Sequence, residues 1–141
     1  SQQLAIEKIP TTIVQAEVPI EVTSRQVVIP ELPIDKNYLI QMTIDVSSRY
    51  ITIDEFLIMT IIKYESTFNP EARNGNCVGL MQVSTHWHKA RAEILGVSNF
   101  EDPLGNMLVG SDYLNDLIIK YDNLQLALMV YNRGDATAKK L

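Results

Sequence analysis

The spacing of apolar residues changes once along the chain. In the first 37 residues they alternate with polar ones: Val14, Ala16, Val18, Ile20 and Val22 are interleaved with Gln15, Glu17, Pro19 and Glu21. Period two is the signature of a strand with one buried face. Pro19 cannot donate to a ladder, so the segment is expected to be an edge strand or a polyproline-like stretch. Thr23-Ser24-Arg25-Gln26 offers a turn, and Val27-Val28-Ile29 runs into Pro30 and Pro33. A short hairpin and an extended arm both fit this pattern.

From residue 38 the period becomes helical. Tyr38, Leu39, Met42, Val46 and Tyr50 suit a helix of about three turns capped by Asp35 or Asn37. Thr52 with Glu55 has the spacing of a capping box, opening a second helix that reaches about Ser66 and stops before Pro70. Residues 67–79 carry the turn dipeptide Asn74-Gly75 and read as loop. A short helix is expected over 85–95, ending at Gly96. A long one starts with Asp102 as cap and Pro103 in its first turn and runs to about Tyr121. A last helix is expected from Leu124 to Tyr131, closing near Gly134. The expected fold is mainly α: residues 38–141 form a helical domain with one glycine-bearing loop region, and residues 1–37 precede it as an extended or β-like arm or linker.

Composition sharpens that division. Four of the six prolines lie in the first 33 residues, and no glycine precedes Gly75. With 141 residues, 46% of them apolar and 21% charged, the chain is long enough and apolar enough for one domain with its own core, which excludes global disorder. Its uninterrupted apolar runs, Phe56-Leu57-Ile58-Met59 among them, are far short of the ~20 residues of a spanning helix. The net charge of −5 is shared by both halves, with no basic stripe to suit nucleic acid. A single cysteine, Cys77, excludes an internal disulfide and a cysteine-based metal site. His86 and His88 are two apart, a spacing that shares a face only on a strand, and no third ligand lies nearby. No metal or cofactor is implied. The chain begins Ser-Gln-Gln, without methionine or a basic leader, and reads as a mature or trimmed piece.

The strongest chemical signal is Glu65. On the second helix Leu57, Ile58, Ile61 and Ile62 form an apolar stripe whose next member, by i+3/i+4 spacing, is position 65. A carboxylate there, near a helix C-terminus, is poorly solvated and faces the negative end of the helix dipole. Both effects raise its pKa and prepare it as a general acid near neutral pH. The alternative is a glutamate that reaches solvent at the last turn or pairs with Arg73 or Lys63. Gly79-Leu80-Met81-Gln82 also has two readings. Glycine permits close backbone approach to a flat sugar, Met81 can lie against it, and Gln82 offers a donor and an acceptor; or Leu80 and Met81 are core and Gly79 only turns the chain. Trp87, the single tryptophan, is a stacking surface or a half-buried core residue.

Taken together, Glu65-Ser66-x-Phe68-Asn69-Pro70, Gly79-Leu80-Met81-Gln82-Val83, Asp102-Pro103-x-x-Asn106-x-x-x-Gly110-x-x-Tyr113-Leu114 and Ala127-Leu128-x-x-Tyr131-Asn132-x-Gly134 occur in this order. Over residues 38–134 the chain resembles the catalytic domain of soluble lytic transglycosylases, the goose-type-lysozyme-like group that cleaves peptidoglycan. The first 37 residues carry no such resemblance.

The resemblance implies that Glu65 is the catalytic acid/base, cutting between N-acetylmuramic acid and N-acetylglucosamine with a 1,6-anhydromuramoyl end as product. It implies that Ser66, Met81, Gln82, Tyr131 and Asn132 line the cleft, that Tyr131 bonds Glu65 or the substrate, and that peptidoglycan strands outside the cytoplasm are the partner. Tyr113 and Asn106 are expected to serve packing as much as binding, and Asn132 could instead cap its own helix. Residues 1–37 would then be a tether to a membrane or a larger assembly. A second acid is sought in vain at Asp102, a cap, and at Glu101 and Asp112, which read as solvated charges; Glu71, in the loop, stays open. A hydrolytic muramidase and a non-catalytic wall-binding module of a phage or secretion assembly are the rival readings.

Overall fold

The computed structural model describes residues 34–138. The alternating segment, and residues 1–33 of the tether expected over residues 1–37, lie outside the described residues. The described chain forms α1 (Lys36–Ser47), α2 (Glu55–Ser66), β1 (Arg73–Asn74), β2 (Cys77–Val78), β3 (Val83–Ser84), α3 (Lys89–Leu95), α4 (Pro103–Tyr121) and α5 (Leu124–Ala138). The boundary expected at residue 37 moves a little. Asp35 accepts from the Tyr38 N–H at 3.0 Å as the α1 cap, and Ile34 packs on the core, so residues 34–37 belong to the helical unit.

Each long helix begins where a carboxylate or amide can take an orphan amide proton. Asp102 accepts from Gly105 N–H at 2.9 Å, with Pro103 in the first turn as expected. Asn123 accepts from Leu126 N–H at 2.8 Å. At α2 the expected capping box does not form. Asp54, one residue before Glu55, accepts from Leu57 N–H at 2.8 Å. The Thr52 hydroxyl donates instead to Asn115 Oδ1 on α4, 2.7 Å away, and Glu55 accepts from Ser47. Asp54→Ala should therefore cost about 1 kcal/mol and lower the melting temperature by about 4–8 °C, whereas Thr52→Ala should cost less than half of that. Thermal melts of the two variants, monitored by circular dichroism, check the order.

α4 is the spine. It packs against α1, α3 and α5, and α1 packs against α2. Leu39, Val46, Ile58, Ile62, Leu80, Met81, Met107, Val109 and Leu114 are buried almost completely around it. Tyr38, counted with the inward residues of α1 by periodicity, is half exposed. The expected loop contains a small antiparallel sheet in the order β1-β2-β3, with Arg73 opposite Val78 and Val78 opposite Val83. Its strands are two residues long, too short for period two to show. The expected last helix does not close near Gly134; α5 continues to Ala138.

Two left-handed residues, Thr67 (φ 53°) and Phe68 (φ 63°), end α2 abruptly. Neither is glycine, so the bend stores backbone strain. Phe68 packs on the core, and Asn69 N–H bonds to the Ser66 carbonyl. The bend leaves Glu65 in the last turn of α2, at the rim rather than inside the core.

Candidate active site

An open groove of about 480 Å³ runs between α2 and α5. Leu57, Ile61 and Tyr64 form one wall, Leu128, Met129 and Tyr131 the other, and Glu65 and Asn132 lie along it. The apolar stripe of α2 divides here. Ile58 and Ile62 point into the core, while Leu57, Ile61 and Glu65, each four residues from the next, face the groove.

Glu65 is half-buried, and among the described residues it has no hydrogen-bond or ion-pair partner. The pairing with Arg73 or Lys63 does not occur; Arg73 pairs with Glu101. Burial pushes the Glu65 carboxyl up from 4.5 to about 7, because an apolar wall solvates a carboxylate poorly. Among the described residues lining the groove, Glu65 is the one carboxylic acid. Glu71 is exposed and lines a separate depression with Glu101, Pro70 and Pro103.

The other expected site residues divide. Asn132 is exposed on the groove, and because α5 continues past it, the capping alternative is gone. The Tyr131 ring lines the groove, but its hydroxyl donates to the Met81 carbonyl at 2.8 Å and not to Glu65. Ser66 is not a groove residue: four positions after Ile62, it follows the core side of α2, is buried, and its hydroxyl donates to the Ile62 carbonyl at 3.1 Å. The Met81 side chain is fully buried, so the expected contact with a sugar face is not available to it. It lies against Gly110 of α4, where a built Cβ would come within 2.8 Å of Met81 Sδ and 2.9 Å of the Tyr131 hydroxyl. Gln82 is part-buried at φ 50°, and its Nε2 donates to the carbonyls of Ala72 and Gly79 at 3.1 and 3.0 Å. With the amide nitrogen committed, the side-chain oxygen is what Gln82 can offer a ligand, as an acceptor.

Gly79 serves the fold rather than a close approach to sugar. Its φ is +82°, and a Cβ there would meet Asn106 Nδ2 at 2.1 Å. Asn106 is fully buried; it donates to the carbonyls of Val78 (2.8 Å) and Phe100 (2.7 Å) and accepts from Met81 N–H at 2.7 Å. It thus ties α4 to the sheet beneath the groove.

Behind Tyr131 lies a polar cluster that periodicity did not reveal. Asp112, expected to be a solvated charge, is mostly buried. Arg91 Nη1 bonds Asp112 and Asp116, each at 2.6 Å, and the Tyr50 hydroxyl donates to Asp112 at 2.9 Å. Burial, then the Asp112 hydrogen bond and charge, pushes the Tyr50 phenol up to about 12. Burial works against the Arg91 charge, but the bonds to Asp116 and Asp112 outweigh it and hold the guanidinium above its ordinary value. His88, a buried residue at the start of α3, packs with its ring 4.4 Å from that of Tyr113 and tilted by 53°, and the Tyr113 ring is 5.4 Å from that of Tyr131. A signal for the cluster did exist: Asp112 and Asp116 are spaced i, i+4 on one face of α4, which calls for a cation. Trp87 is 43% exposed and stands edge-on to His86.

The chain has relatives among known proteins. Residues 42–141 match the family model of the transglycosylase SLT domain. A transglycosylase of Enterobacteria phage PRD1 is 32% identical over 93 residues, covering 65% of this chain and 34% of the phage protein. Membrane-bound lytic murein transglycosylase F of Histophilus somni (strain 2336) is 35% identical over 89 residues, 58% of this chain and 18% of that protein. The chain thus spans about a third or less of these relatives. In fold it is similar to a 70-kDa soluble lytic transglycosylase solved in complex with bulgecin A, with a TM-score of 0.61, 21% identity, and coverage of 77% of this chain and 18% of that one. The fold is the lysozyme-like one, and the chain belongs to the transglycosylase SLT domain family.

Proposed function

We propose that this chain is the catalytic domain of a peptidoglycan lytic transglycosylase and that Glu65 is its acid/base. The observation that carries this is a protonatable, unpaired carboxyl at the end of α2, facing an apolar groove. In the first step the Glu65 carboxylic acid protonates the glycosidic oxygen between N-acetylmuramic acid and N-acetylglucosamine, and the bond from that oxygen to the muramoyl C1 breaks. In the second, the Glu65 carboxylate removes the proton of the muramoyl 6-hydroxyl as its oxygen bonds to C1. The acid is restored, a 1,6-anhydro ring closes, and no water is consumed.

Hydrolysis is the neighbouring reading. The usual inverting route needs a second carboxylate about 6.5–9.5 Å from the first to activate water, and the retaining route needs one at about 5 Å as nucleophile. The absence of a second acid among the described groove residues favours internal attack. Asn132, exposed on the groove, is our candidate for binding acetamido or hydroxyl groups; Gln82 lines a separate small depression with Cys77, His88 and Tyr113. The substrate puts the site of action outside the cytoplasm or on a phage particle. Among the described residues no helix is long and apolar enough to cross a membrane.

Mass spectrometry of digested peptidoglycan tests the reading. Anhydromuramoyl fragments are expected. Reducing ends in their place would assign the protein to the muramidases, and no soluble fragments at all would make it a wall-binding module. Because the reaction starts from the protonated acid, kcat/KM should also fall as pH rises through about 7, where the Glu65 carboxyl ionises. A profile on soluble glycan strands whose alkaline limb instead falls near pH 4.5 would mean that burial does not tune Glu65.

A further inference from the structure

We propose that Arg91 is a positioning residue, holding His88 and Tyr113 so that the Tyr131 ring stays in place as a wall of the Glu65 groove. The inference rests on the reading of that groove as the active site. Four contacts converge on one guanidinium. Nη1 bonds Asp112 and Asp116, Nε donates to His88 Nδ1 at 3.4 Å, and the guanidinium carbon lies 5.4 Å from the centre of the Tyr113 ring. Tyr113 then meets His88 at 4.4 Å and Tyr131 at 5.4 Å between ring centres. Tyr131 lines the groove beside Glu65 and Asn132. A continuous set of contacts therefore leads from α3 across α4 to the groove face of α5.

The geometry asks for arginine in particular. Two carboxylates one turn apart on α4 repel each other, and any cation would relieve that. Relief alone does not require a planar group. The additional bond to His88 and the position over Tyr113 use the flat, forked shape of the guanidinium, which a lysine ammonium does not have. Charge balance and ring placement can thus be separated by substitution. Lysine keeps the first and loses the second; methionine loses both.

Tilted ring contacts of this kind are worth a few-fold, so Arg91→Lys should raise KM on soluble glycan strands about three- to tenfold with kcat within about twofold. Its melting temperature should stay close to that of the wild type. Arg91→Met should raise KM at least as much and also lower the melting temperature. Val46→Ala, a core truncation in α1, serves as the control for destabilisation and should leave KM unchanged. Incorporated 3-fluorotyrosine gives a second readout, the 19F resonances of the six tyrosines, assigned by tyrosine-to-phenylalanine variants. The Tyr113 and Tyr131 resonances should move in Arg91→Lys and not in Val46→Ala. Unchanged KM in Arg91→Lys, an equal rise in Val46→Ala, or an unmoved Tyr131 resonance would each overturn the proposal. If the wild type releases no glycan fragments, the activity reading falls, and the 19F spectra alone decide whether Arg91 sets the ring.

Discussion

Glu65→Gln should lower the rate of glycan cleavage by about a thousandfold and leave the fold intact, the loss expected when a positioned general acid is replaced by its nearest isostere. Glutamine fills the same space beside Ile61 and Tyr64 but delivers no proton. A variant retaining more than a tenth of the wild-type clearing rate on purified cell walls would remove Glu65 from its role. The same substitution should change how stability depends on pH. In the folded protein the Glu65 carboxyl titrates at about 7 rather than 4.5, so the native state holds this proton more tightly than the unfolded chain does. The resulting stability is complete below pH 4.5 and is lost as pH rises through about 7. Glutamine removes this slope. At pH 8 the variant should exceed the wild type by about 1 kcal/mol, a figure reduced to allow for the solvent that reaches a half-buried carboxyl. Urea titrations at pH 4 and pH 8 give the comparison, and a difference that does not grow with pH would contradict it. A site that is more stable without its acid is what the trade between activity and stability leads one to expect.

The second large effect is on folding. Asn106→Ala should destabilise the domain by about 3–5 kcal/mol, because it strips partners from a buried carbonyl, a part-buried carbonyl and a buried amide at once. Val78 O, Phe100 O and Met81 N–H all depend on this one side chain. The loss should show in urea denaturation as a lower midpoint with an unchanged slope. Gly79→Ala should approach the same cost by another route, a methyl group driven into the Asn106 amide at a backbone angle that disfavours any side chain. A loss below 1 kcal/mol for Asn106→Ala would mean that water replaces the amide and that the tie between α4 and the sheet is slack.

The helices were legible because their buried faces repeat over many residues and their starts carry Asp or Asn. Asp35, Asp102 and Pro103 fall where the pattern put them. Asp54 was overlooked because Thr52 and Glu55 imitate a capping box, and only the path of the chain shows Thr52 reaching Asn115. Glu65 was legible as a polar residue where a hydrophobe was due. Ser66 and Met81 were misassigned for one reason: adjacency to a site residue in sequence says nothing about which way a side chain turns. On a helix the next residue is rotated by about 100°, which carries Ser66 from the groove side of α2 to the core side. The groove walls were half visible. Leu57 and Ile61 were read in one apolar stripe with Ile58 and Ile62, because a stripe wide enough to face two ways has the same spacing as one that faces a single core. In the Arg91 cluster the spacing of Asp112 and Asp116 called for a cation, but no local pattern names Arg91 or Tyr50 as the residues that meet them.

Gly110 has a consequence for how the groove could be changed by substitution. Its missing side chain lets α4 approach until Met81 and the Tyr131 hydroxyl occupy the space that a methyl would take. The approach of α4 to Met81, and to the helix that carries the Tyr131 wall, is therefore referred to one hydrogen atom. Enlarging that position presses first on Met81 and on Tyr131, a wall of the groove. A library of small substitutions at position 110 would accordingly shift the Tyr131 wall while every polar group of the groove keeps its identity.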